Sequence, residues 1–419
     1  MKKRIIAFVA TIGMALALIV APAQAAKEIR IGFIAPMTGI FAQIGKDMTN
    51  GFKMYLEQNK GMMGPVKVKF IHEDSTGKPS VNRQKAIKLI KRDKVHFFVG
   101  GLLASTGYAL GAVADRYKTL YISPVPAGDD MTQRRAPKYF VRSGFTSSQG
   151  AHPLADYAYD KGYRRIVAVG QDYAFGYEYI GGFQRQFEKR GGKIIKKIWV
   201  KLGTKDFGPY LPQISKTADA VVVLAVGPSS LAFPKQYRAA GFKLPLLGGI
   251  TAADEFTLPS MGDEAIGYVT AGQYSAALNT DKNNAFVKEY QSRYGKMASY
   301  YSETTYTTAM WIHKTLEKIK WNPDDTKGFI REFKNVRITD APRGPLYIGS
   351  HGNVVQNIYI REVVRVPGDR LGLGVKTNSL WNKVIKTYPA VSQFYKFSPE
   401  EFLKQPVYSK SFPGCKFCE

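Results

Sequence analysis

The chain has 419 residues, of which 60 are Lys or Arg and 33 are Asp or Glu, giving a formal net charge of +27. This length exceeds one typical domain and suits two. The 2 cysteines exclude a fold built on a disulfide framework, and the 5 histidines are scattered along the chain. Basic residues are spread along the chain and alternate with apolar ones, as in Val66–Phe70, which is typical of a solvated strand face. The charge therefore indicates general basicity rather than nucleic-acid binding.

Residues 1–25 have the three parts of a secretory signal peptide. Met1–Arg4 is basic, Ile5–Val20 is apolar, and Ala23–Ala25 is a small-residue cleavage site. A membrane anchor is the alternative, but the apolar stretch is short for a full span. No cysteine follows the cleavage site, so a lipid anchor is not indicated. The sequence predicts cleavage near Ala25 and export of the mature chain.

Strand-like runs alternate with helix-like stretches along the rest of the chain. A first series of runs begins near Ile29, Val66, Val95, Thr119 and Tyr139. A second series begins near Arg164, Lys193, Asp219, Leu244 and Ile266. Ala220–Val226 lacks alternation, as strands covered on both faces do, whereas Asn82–Lys94 has apolar residues at helical spacing. The two series have similar spacings between successive strand starts, which predicts an α/β fold with two doubly wound, Rossmann-like lobes.

The loops that follow the strands are the candidate binding loops, because open parallel sheets bind ligands beyond the carboxyl ends of their strands. In sequence order they are Pro36–Gly39, Gly100–Thr106, Ser123–Ala127, Gln171–Gly176, Gly227–Ser229 and Gly249–Thr251. These loops are rich in Gly, Ser, Thr, Pro and aromatic residues and poor in His, Cys and paired carboxylates. They predict a binding cleft between two lobes.

Motifs that would indicate catalysis are absent from the sequence. There is no Gly-x-Ser-x-Gly nucleophile turn, no phosphate-binding loop and no His-Glu-x-x-His pair. His72-Glu73-Asp74 is the nearest cluster, but adjacent strand residues point to opposite faces, so these side chains are interpreted as solvated charges. His313 is interpreted as a helix residue with its hydrogen bonds satisfied. We expect no enzymatic reaction, no cofactor and no metal ion.

Both cysteines, Cys415 and Cys418, lie at the extreme C-terminus. A redox Cys-x-x-Cys motif normally lies where a strand meets a helix, and two thiols alone make a poor metal site. In an oxidising compartment, the pair is expected to form a local disulfide.

Several short motifs occur in an order that resembles a known family. They are Ile31–Gly39, Ile122–Pro124, Arg142–Gly150, Asp172–Gly176, Arg238–Phe242, Pro342–Pro345 and Gln356–Arg361. As an ordered set they resemble class I periplasmic solute-binding proteins, the relatives of the leucine/isoleucine/valine-binding protein that serve ABC importers. The resemblance covers roughly residues 27–366.

This resemblance implies the type I periplasmic-binding-protein fold, in which three crossings of the chain join two lobes. The crossings would fall near Arg142-Ser143, Gln273-Tyr274 and Gly344-Pro345. Lobe one would then comprise residues 27–142 plus 275–344, and lobe two residues 143–274 plus 345–370. Residues 371–419 would form a C-terminal extension. The lobes are expected to close on the ligand in a hinge motion.

In the resembled family, the loop that matches Ala104-Ser105-Thr106 holds the carboxylate of the ligand. Unpaired N–H groups at a helix start suit this role, whereas capping of the helix by Ser105 or Thr106 is the alternative. Amino-acid binders of the family carry a threonine at the position of Ala127. Near the ligand ammonium they also carry a tyrosine and a glutamate. The matching positions in this chain lie at or beside Val226-Gly227 and at Ile250. A buried ammonium without such a partner is costly, so the resemblance disfavours an α-amino acid.

The sequence and the resemblance together give ten candidate ligand-binding residues. They are Phe41, Ile44, Ser105, Thr106, Val125, Ala127, Tyr173, Phe175, Gly227 and Ile250. The aromatic and aliphatic members would form an apolar lining that suits aromatic or aliphatic carboxylates. Ordinary core packing is the alternative for each of them.

The function expected from the resemblance is that of a periplasmic substrate-binding component of an ABC transporter. It would act as a monomer, capture a small carboxylate by lobe closure and deliver it to a membrane permease. Two alternatives remain open. The ligand could be a branched-chain or other α-amino acid or a small amide, or the protein could be a sensor that reports its ligand to a signalling receptor.

Overall fold

The computed structural model describes residues 28–366, 368, 372–373 and 376–419, so the signal peptide predicted for residues 1–25 lies outside the described residues. Within the described ranges, no helix is long and apolar enough to cross a membrane.

Lobe one is built on a sheet of six strands in the order β2-β3-β1-β4-β5-β6. The strands are β1 (Glu28–Ala35), β2 (Met62–Met63), β3 (Val66–Asp74), β4 (Phe97–Gly100), β5 (Leu120–Ser123) and β6 (Phe140–Arg142). All neighbours pair in parallel except β2 and β3. The helices between them are α1 (Ala42–Gln58), α2 (Pro79–Lys91) and α3 (Ala104–Tyr117).

Lobe two is built on a second sheet whose parallel part has the order β11-β10-β9-β7-β8. These strands are β7 (Arg165–Gln171), β8 (Lys193–Val200), β9 (Ala220–Leu224), β10 (Leu246–Gly249) and β11 (Val269–Gly272). The helices of this lobe are α4 (Ala151–Asp160), α5 (Ala174–Lys189) and α6 (Pro228–Ala239). Every strand predicted from the apolar runs is present within three residues of its expected start, and the predicted α/β fold with two lobes is confirmed.

After β11 the chain returns to lobe one through α7 (Asp281–Tyr294), α8 (Tyr300–Lys318) and α9 (Thr326–Asn335). Helix α8 packs along α1, where the Thr305 hydroxyl donates to the Met48 carbonyl at 2.7 Å. His313 on α8 accepts a hydrogen bond from the Gly64 N–H at 3.0 Å, which satisfies it as predicted.

The chain then re-enters the second sheet with β12 (Leu346–Ile348), β13 (Val354–Arg365) and β14 (Leu380–Val391). Strand β14 pairs antiparallel with β13, so the segment from residue 380 continues the sheet of lobe two beyond the boundary that the sequence suggested at residue 370. Two register shifts in this pairing break the period-2 pattern, which explains why the run was not recognised as a strand.

The last residues pack on lobe two. They include the short helix α10 (Pro399–Lys404), whose Phe402 ring lies against His152 of α4. Cys415 and Cys418 form the expected disulfide, and the Cys415 sulfur lies 3.3 Å from the Ile194 carbonyl of β8.

Buried arginines tie the crossings of the chain together. Arg343, beside the third crossing, donates to the Ser143 carbonyl in the first crossing at 2.6 Å and faces Glu303 at 3.4 Å. Arg361 on β13 donates to the carbonyls of Ile250 and Ala253 at 3.1 and 3.3 Å. Because a buried cation needs partners, these contacts stabilise the loop after β10 and connect the first and third crossings.

Candidate functional site

A cavity between the lobes, here called chamber one, lies at the carboxyl ends of the parallel strands. Its volume is about 280 Å³, counting the space open to solvent. It is lined by Leu102, Leu103, Ala104, Val125, Ala127, Phe145, Tyr173, Phe175, Val226, Thr251, Tyr300 and Tyr301. No charged side chain of the described residues belongs to this lining. The topology explains the place, because the strand order reverses beside β1 in the first sheet and beside β7 in the second.

A second cavity, here called chamber two, adjoins the first and has a volume of about 260 Å³, again counting the space open to solvent. It is lined by Phe145, Ser147, Gly150, Phe175, Tyr179, Ile250, Ala271, Gly272, Gln273 and Ile358. Phe145 and Phe175 belong to both chambers, and their ring centroids are 6.4 Å apart in an edge-on arrangement. The two rings therefore separate the chambers without a charged group.

Five of the sequence-predicted residues line these chambers. They are Val125, Ala127, Tyr173 and Phe175 in chamber one and Ile250 in chamber two. Gly227 does not line either chamber, but its neighbour Val226 does. A Cβ atom at Gly227 would lie 3.0 Å from Cε1 of Phe41, so Phe41 packs against lobe two at this point. Ile44 lies in the apolar core and lines neither chamber.

The start of α3 reaches chamber one through Ala104 rather than through Ser105 or Thr106. Each helical residue turns the side chain by about 100°, so the next two residues of α3 point away from a cavity that Ala104 faces. The Thr106 hydroxyl donates to the Leu103 carbonyl at 2.7 Å and accepts from the Leu102 N–H at 3.1 Å. Thr106 thus stabilises the loop before α3, and no side chain caps the start of this helix.

Tyr300 and Tyr301 were missed by the sequence analysis. They stand at the first turn of α8, where Ser299 caps the helix by accepting from the Ser302 N–H. Burial raises the pKa of both hydroxyls well above its usual value, so they remain neutral hydrogen-bonding groups. Phe145 was also missed, although the Arg142–Gly150 motif contains it. No local pattern indicates that the start of α8 reaches the cleft, since it does so only after the second crossing of the chain.

The charges of His72-Glu73-Asp74 do not converge on a reaction centre. Asp74 accepts hydrogen bonds from the Met37 N–H at 2.8 Å and from the Thr38 hydroxyl at 2.6 Å. Glu73 is buried and pairs with Lys85 at 2.8 Å and with Lys88, so it is not the solvated charge that the sequence suggested. Asp74 therefore fixes the loop that brings Phe41 to lobe two.

Comparison with known proteins agrees with this architecture. The sequence profile of the periplasmic binding protein family matches residues 28–368. The chain belongs to this family.

Solved members of the family share the fold over nearly their whole length. A solute-binding protein of an ABC transporter from Rhodopseudomonas palustris BisB5, in complex with 3,4-dihydroxybenzoic acid, superimposes with a TM-score of 0.81 at 29% identity and covers 87% of this chain and 98% of its own. A solute-binding protein from R. palustris in complex with 4-hydroxybenzoate gives a TM-score of 0.80 at 26% identity, covering 88% and 99%.

Among sequence relatives, a Leu/Ile/Val-binding protein homolog 6 from Brucella melitensis is 27% identical over 391 residues, covering 91% of this chain and 96% of that protein.

The lobes of this periplasmic binding protein touch each other beside the chambers. Tyr108 of lobe one donates its hydroxyl to Glu178 of lobe two at 3.0 Å, and the Ser148 N–H donates to Asp129 at 3.1 Å. The Tyr300 N–H of lobe one faces the Asp254 carboxyl of lobe two at 3.3 Å. Burial raises the pKa of Glu178 and of Asp254 well above the usual range. These contacts hold the lobes together around the chambers.

Proposed function

We propose that the protein is the periplasmic solute-binding component of an ABC importer and that its ligand is a small aromatic carboxylate. The observation that carries this proposal is the lining of chamber one, which combines aromatic side chains with a helix start and, among the described residues, contains no acidic side chain. Delivery of the ligand to a membrane permease follows from the proposed role.

The aromatic part of the ligand is supported by the rings of the cleft. Phe145, Phe175, Tyr173 and Tyr300 surround chamber one, and neighbouring pairs among them lie edge to face at 6.0 to 6.4 Å. Such walls bind a flat ring by dispersion and by desolvation of its faces.

The carboxylate is supported by the donors at the edge of chamber one. At the start of α3, the Thr106 and Gly107 N–H groups donate to the Leu103 carbonyl, whereas the N–H groups of Ala104 and Ser105 precede the first helical hydrogen bond, and Ala104 lines the cavity. The Tyr173 hydroxyl is buried without a hydrogen-bond partner among the described residues. A ligand carboxylate would satisfy both sets of donors, whereas an α-ammonium group would find no carboxylate in this lining.

An α-amino acid is the second candidate, because the Brucella relatives are named as Leu/Ile/Val-binding protein homologues. It requires an acidic partner for the ammonium group, and Ile250 stands in the loop where a glutamate would serve.

A thermal-shift screen of the mature chain, stripped of ligand, separates these candidates. Benzoate and 4-hydroxybenzoate are expected to raise the melting temperature, because ligand at about 100 times its Kd adds about 2.7 kcal/mol of stability. Leucine and isoleucine are expected to leave it unchanged. A shift with leucine alone would refute the proposal.

Ile250→Glu and Ile250→Gln give a matched pair for the same screen. The two side chains have similar size, but only glutamate adds a buried negative charge to the cleft that also takes up the carboxylate. Benzoate is therefore expected to shift Ile250→Gln more than Ile250→Glu. Equal shifts in both variants would place Ile250 away from the ligand.

A further inference from the structure

A buried carboxyl of lobe two lies in the interface between the lobes. Glu178 on α5 is 1% exposed. Its carboxyl accepts a hydrogen bond from the Tyr108 hydroxyl of lobe one at 3.0 Å and lies 2.5 Å from the Ser147 hydroxyl. The Ser147 hydroxyl also lies 2.9 Å from the Ala127 carbonyl of lobe one. This chain of four groups therefore crosses the interface twice.

The Ser147 hydroxyl carries a single proton but faces two acceptors. If Glu178 is ionised, this proton reaches one acceptor, and the Ser147 oxygen faces the other without a hydrogen between them. A protonated Glu178 removes the conflict, because its O–H donates to Ser147 and the Ser147 hydroxyl then donates to the Ala127 carbonyl. The hydrogen bonds across the interface are therefore complete only when Glu178 carries a proton.

No ion pair compensates a charge on Glu178 within the part of the chain that the structure describes. The buried cation nearby is Arg142, which donates to the Gly128 carbonyl at 2.5 Å and to the Asn353 side chain at 3.2 Å rather than to a carboxyl. Burial and the neighbouring Asp129 carboxyl raise the pKa of Glu178 well above its usual range. An ionised Glu178 in this interface is therefore costly.

The other titratable groups around Glu178 and Asp129 leave a negative charge in excess when both carboxyls are ionised. Asp130 pairs with Arg134 at 2.9 Å, so these two charges cancel. Burial raises the pKa of the neighbouring tyrosines well above its usual value, so they stay neutral at pH 7. The groups that face the two carboxyls are Tyr108, Asp130, Arg134, Arg142, Tyr173 and Tyr408. A single proton on the pair neutralises this set.

We infer that closure of the lobes on a ligand takes up one proton from solvent and that Glu178 holds it. When the lobes open, Glu178 loses Tyr108 and gains water, so its carboxyl ionises as an ordinary glutamate does at pH 7. The inference rests on the proposed function, since it takes the lobes to open and close around a ligand. Affinity for the ligand then depends on pH through a residue that lines neither chamber.

Calorimetric titration with benzoate at pH 7, in buffers of different ionisation enthalpy, counts the protons. Benzoate is already ionised at this pH, so it brings no proton of its own. The ligand-stripped mature chain is expected to take up about one proton per benzoate. Because the open chain must gain this proton to close, its Kd should rise by up to about tenfold from pH 7 to pH 8. Binding of benzoate without proton uptake would overturn the inference.

Glu178→Gln imitates the protonated side chain, since its amide can donate to Ser147 and accept from Tyr108. This variant is expected to bind benzoate without proton uptake, with values of Kd at pH 7 and pH 8 that agree within about twofold. Glu188→Gln, on the same helix, is the matched control, because the Glu188 carboxyl accepts from Gln184 within lobe two at 2.9 Å. It should keep the full uptake. Uptake that persists in Glu178→Gln would contradict the assignment of the proton to Glu178.

The proposed function and this inference fail in different ways. If benzoate binds with the same heat in every buffer, the inference fails and the proposed function stands. If neither benzoate nor 4-hydroxybenzoate binds to the ligand-stripped chain, the proposed function itself fails, and this inference with it.

Discussion

Single residues at the start of α3 stabilise a loop whose backbone borders chamber one. Thr106 connects the Leu102 N–H to the Leu103 carbonyl through its hydroxyl, and Ala104 contributes only a methyl group to chamber one. The site at this point therefore depends on backbone donors in a fixed position rather than on side-chain chemistry.

Thr106→Ala is expected to lower the free energy of unfolding by about 2 kcal/mol, because the buried Leu102 N–H loses its acceptor. Affinity for benzoate should change by less than about threefold, since the backbone donors remain. Ser105→Ala is the control, with a change in stability below about 0.5 kcal/mol. Urea unfolding and calorimetry check both; a loss of affinity without a loss of stability would instead make Thr106 a ligand contact.

Asp129 makes the stability of the folded protein depend on pH. Burial raises its pKa from 3.8 to about 6. A carboxyl whose pKa is raised by folding stabilises the protein fully below about pH 4, and that contribution is lost as the pH rises through 6. Between pH 5 and 7 the natural chain should lose about 1 kcal/mol more than Asp129→Asn. Urea unfolding at both pH values tests this, and identical losses would show that Asp129 does not titrate in this range.

Much of the site could be predicted from the sequence because its residues lie directly after buried strands. Val125 and Ala127 follow β5, and Tyr173 and Phe175 follow β7, so the rule for parallel sheets finds them. Tyr300 and Tyr301 could not be found in this way, since they depend on the return of the chain to lobe one. Which residues of a helix start face the cavity is likewise decided by the packing of α3 and not by the motif.

At the scale of elements, the C-terminal tail connects both lobes. Arg134 of lobe one donates to the carbonyls of Phe402, Leu403 and Gln405 in the tail at 2.8 to 3.1 Å. On lobe two, Tyr395 in the tail donates to Asp156 at 2.7 Å. The tail lies outside residues 27–366, over which the motifs resemble the family. Only these contacts show that it connects the two lobes.

Arg134→Ala is expected to lower the free energy of unfolding by about 2 kcal/mol, because three tail carbonyls and the buried Asp130 carboxylate lose a charged donor at once. Arg135→Ala removes the same charge from an exposed neighbour and serves as the control. Thermal unfolding of the two variants checks the difference. Similar melting temperatures would mean that the tail is held by lobe two alone.

The fold as a whole was predictable for two reasons. Its two series of strands have similar spacings between strand starts, and its buried strands are apolar runs without alternation, as in β9. Strand β14 was not predictable, because two shifts of its register against β13 and its mixed burial obscure the period-2 pattern of a strand. Closure of the lobes on a ligand also could not be predicted from local patterns, since it requires surfaces from distant segments to fit together.

Gly227 lies where lobe two meets Phe41 of lobe one, so a substitution there tests how closely the lobes fit. It has φ of +65°, and a Cβ atom there would press on Phe41 of the other lobe at 3.0 Å. Gly241 has φ of +82° with nothing within 4 Å, so Gly241→Ala carries the backbone strain without the contact. Gly227→Ala should weaken benzoate binding about tenfold beyond Gly241→Ala, with a loss of stability of about 1–3 kcal/mol, because φ of +65° with ψ of -136° strongly favours glycine. Calorimetric titration of both variants with benzoate measures the difference. Equal affinities would show that the contact with Phe41 does not limit closure.

The most direct measurement is a calorimetric titration of the ligand-stripped mature chain with 4-hydroxybenzoate and, in the same buffer, with leucine. The structure leads us to expect saturation by one molecule of 4-hydroxybenzoate per chain, with a negative heat-capacity change from the burial of its ring, and no saturable heat with leucine. Saturation by leucine, with none by 4-hydroxybenzoate, would contradict the assignment of this cleft to aromatic carboxylates.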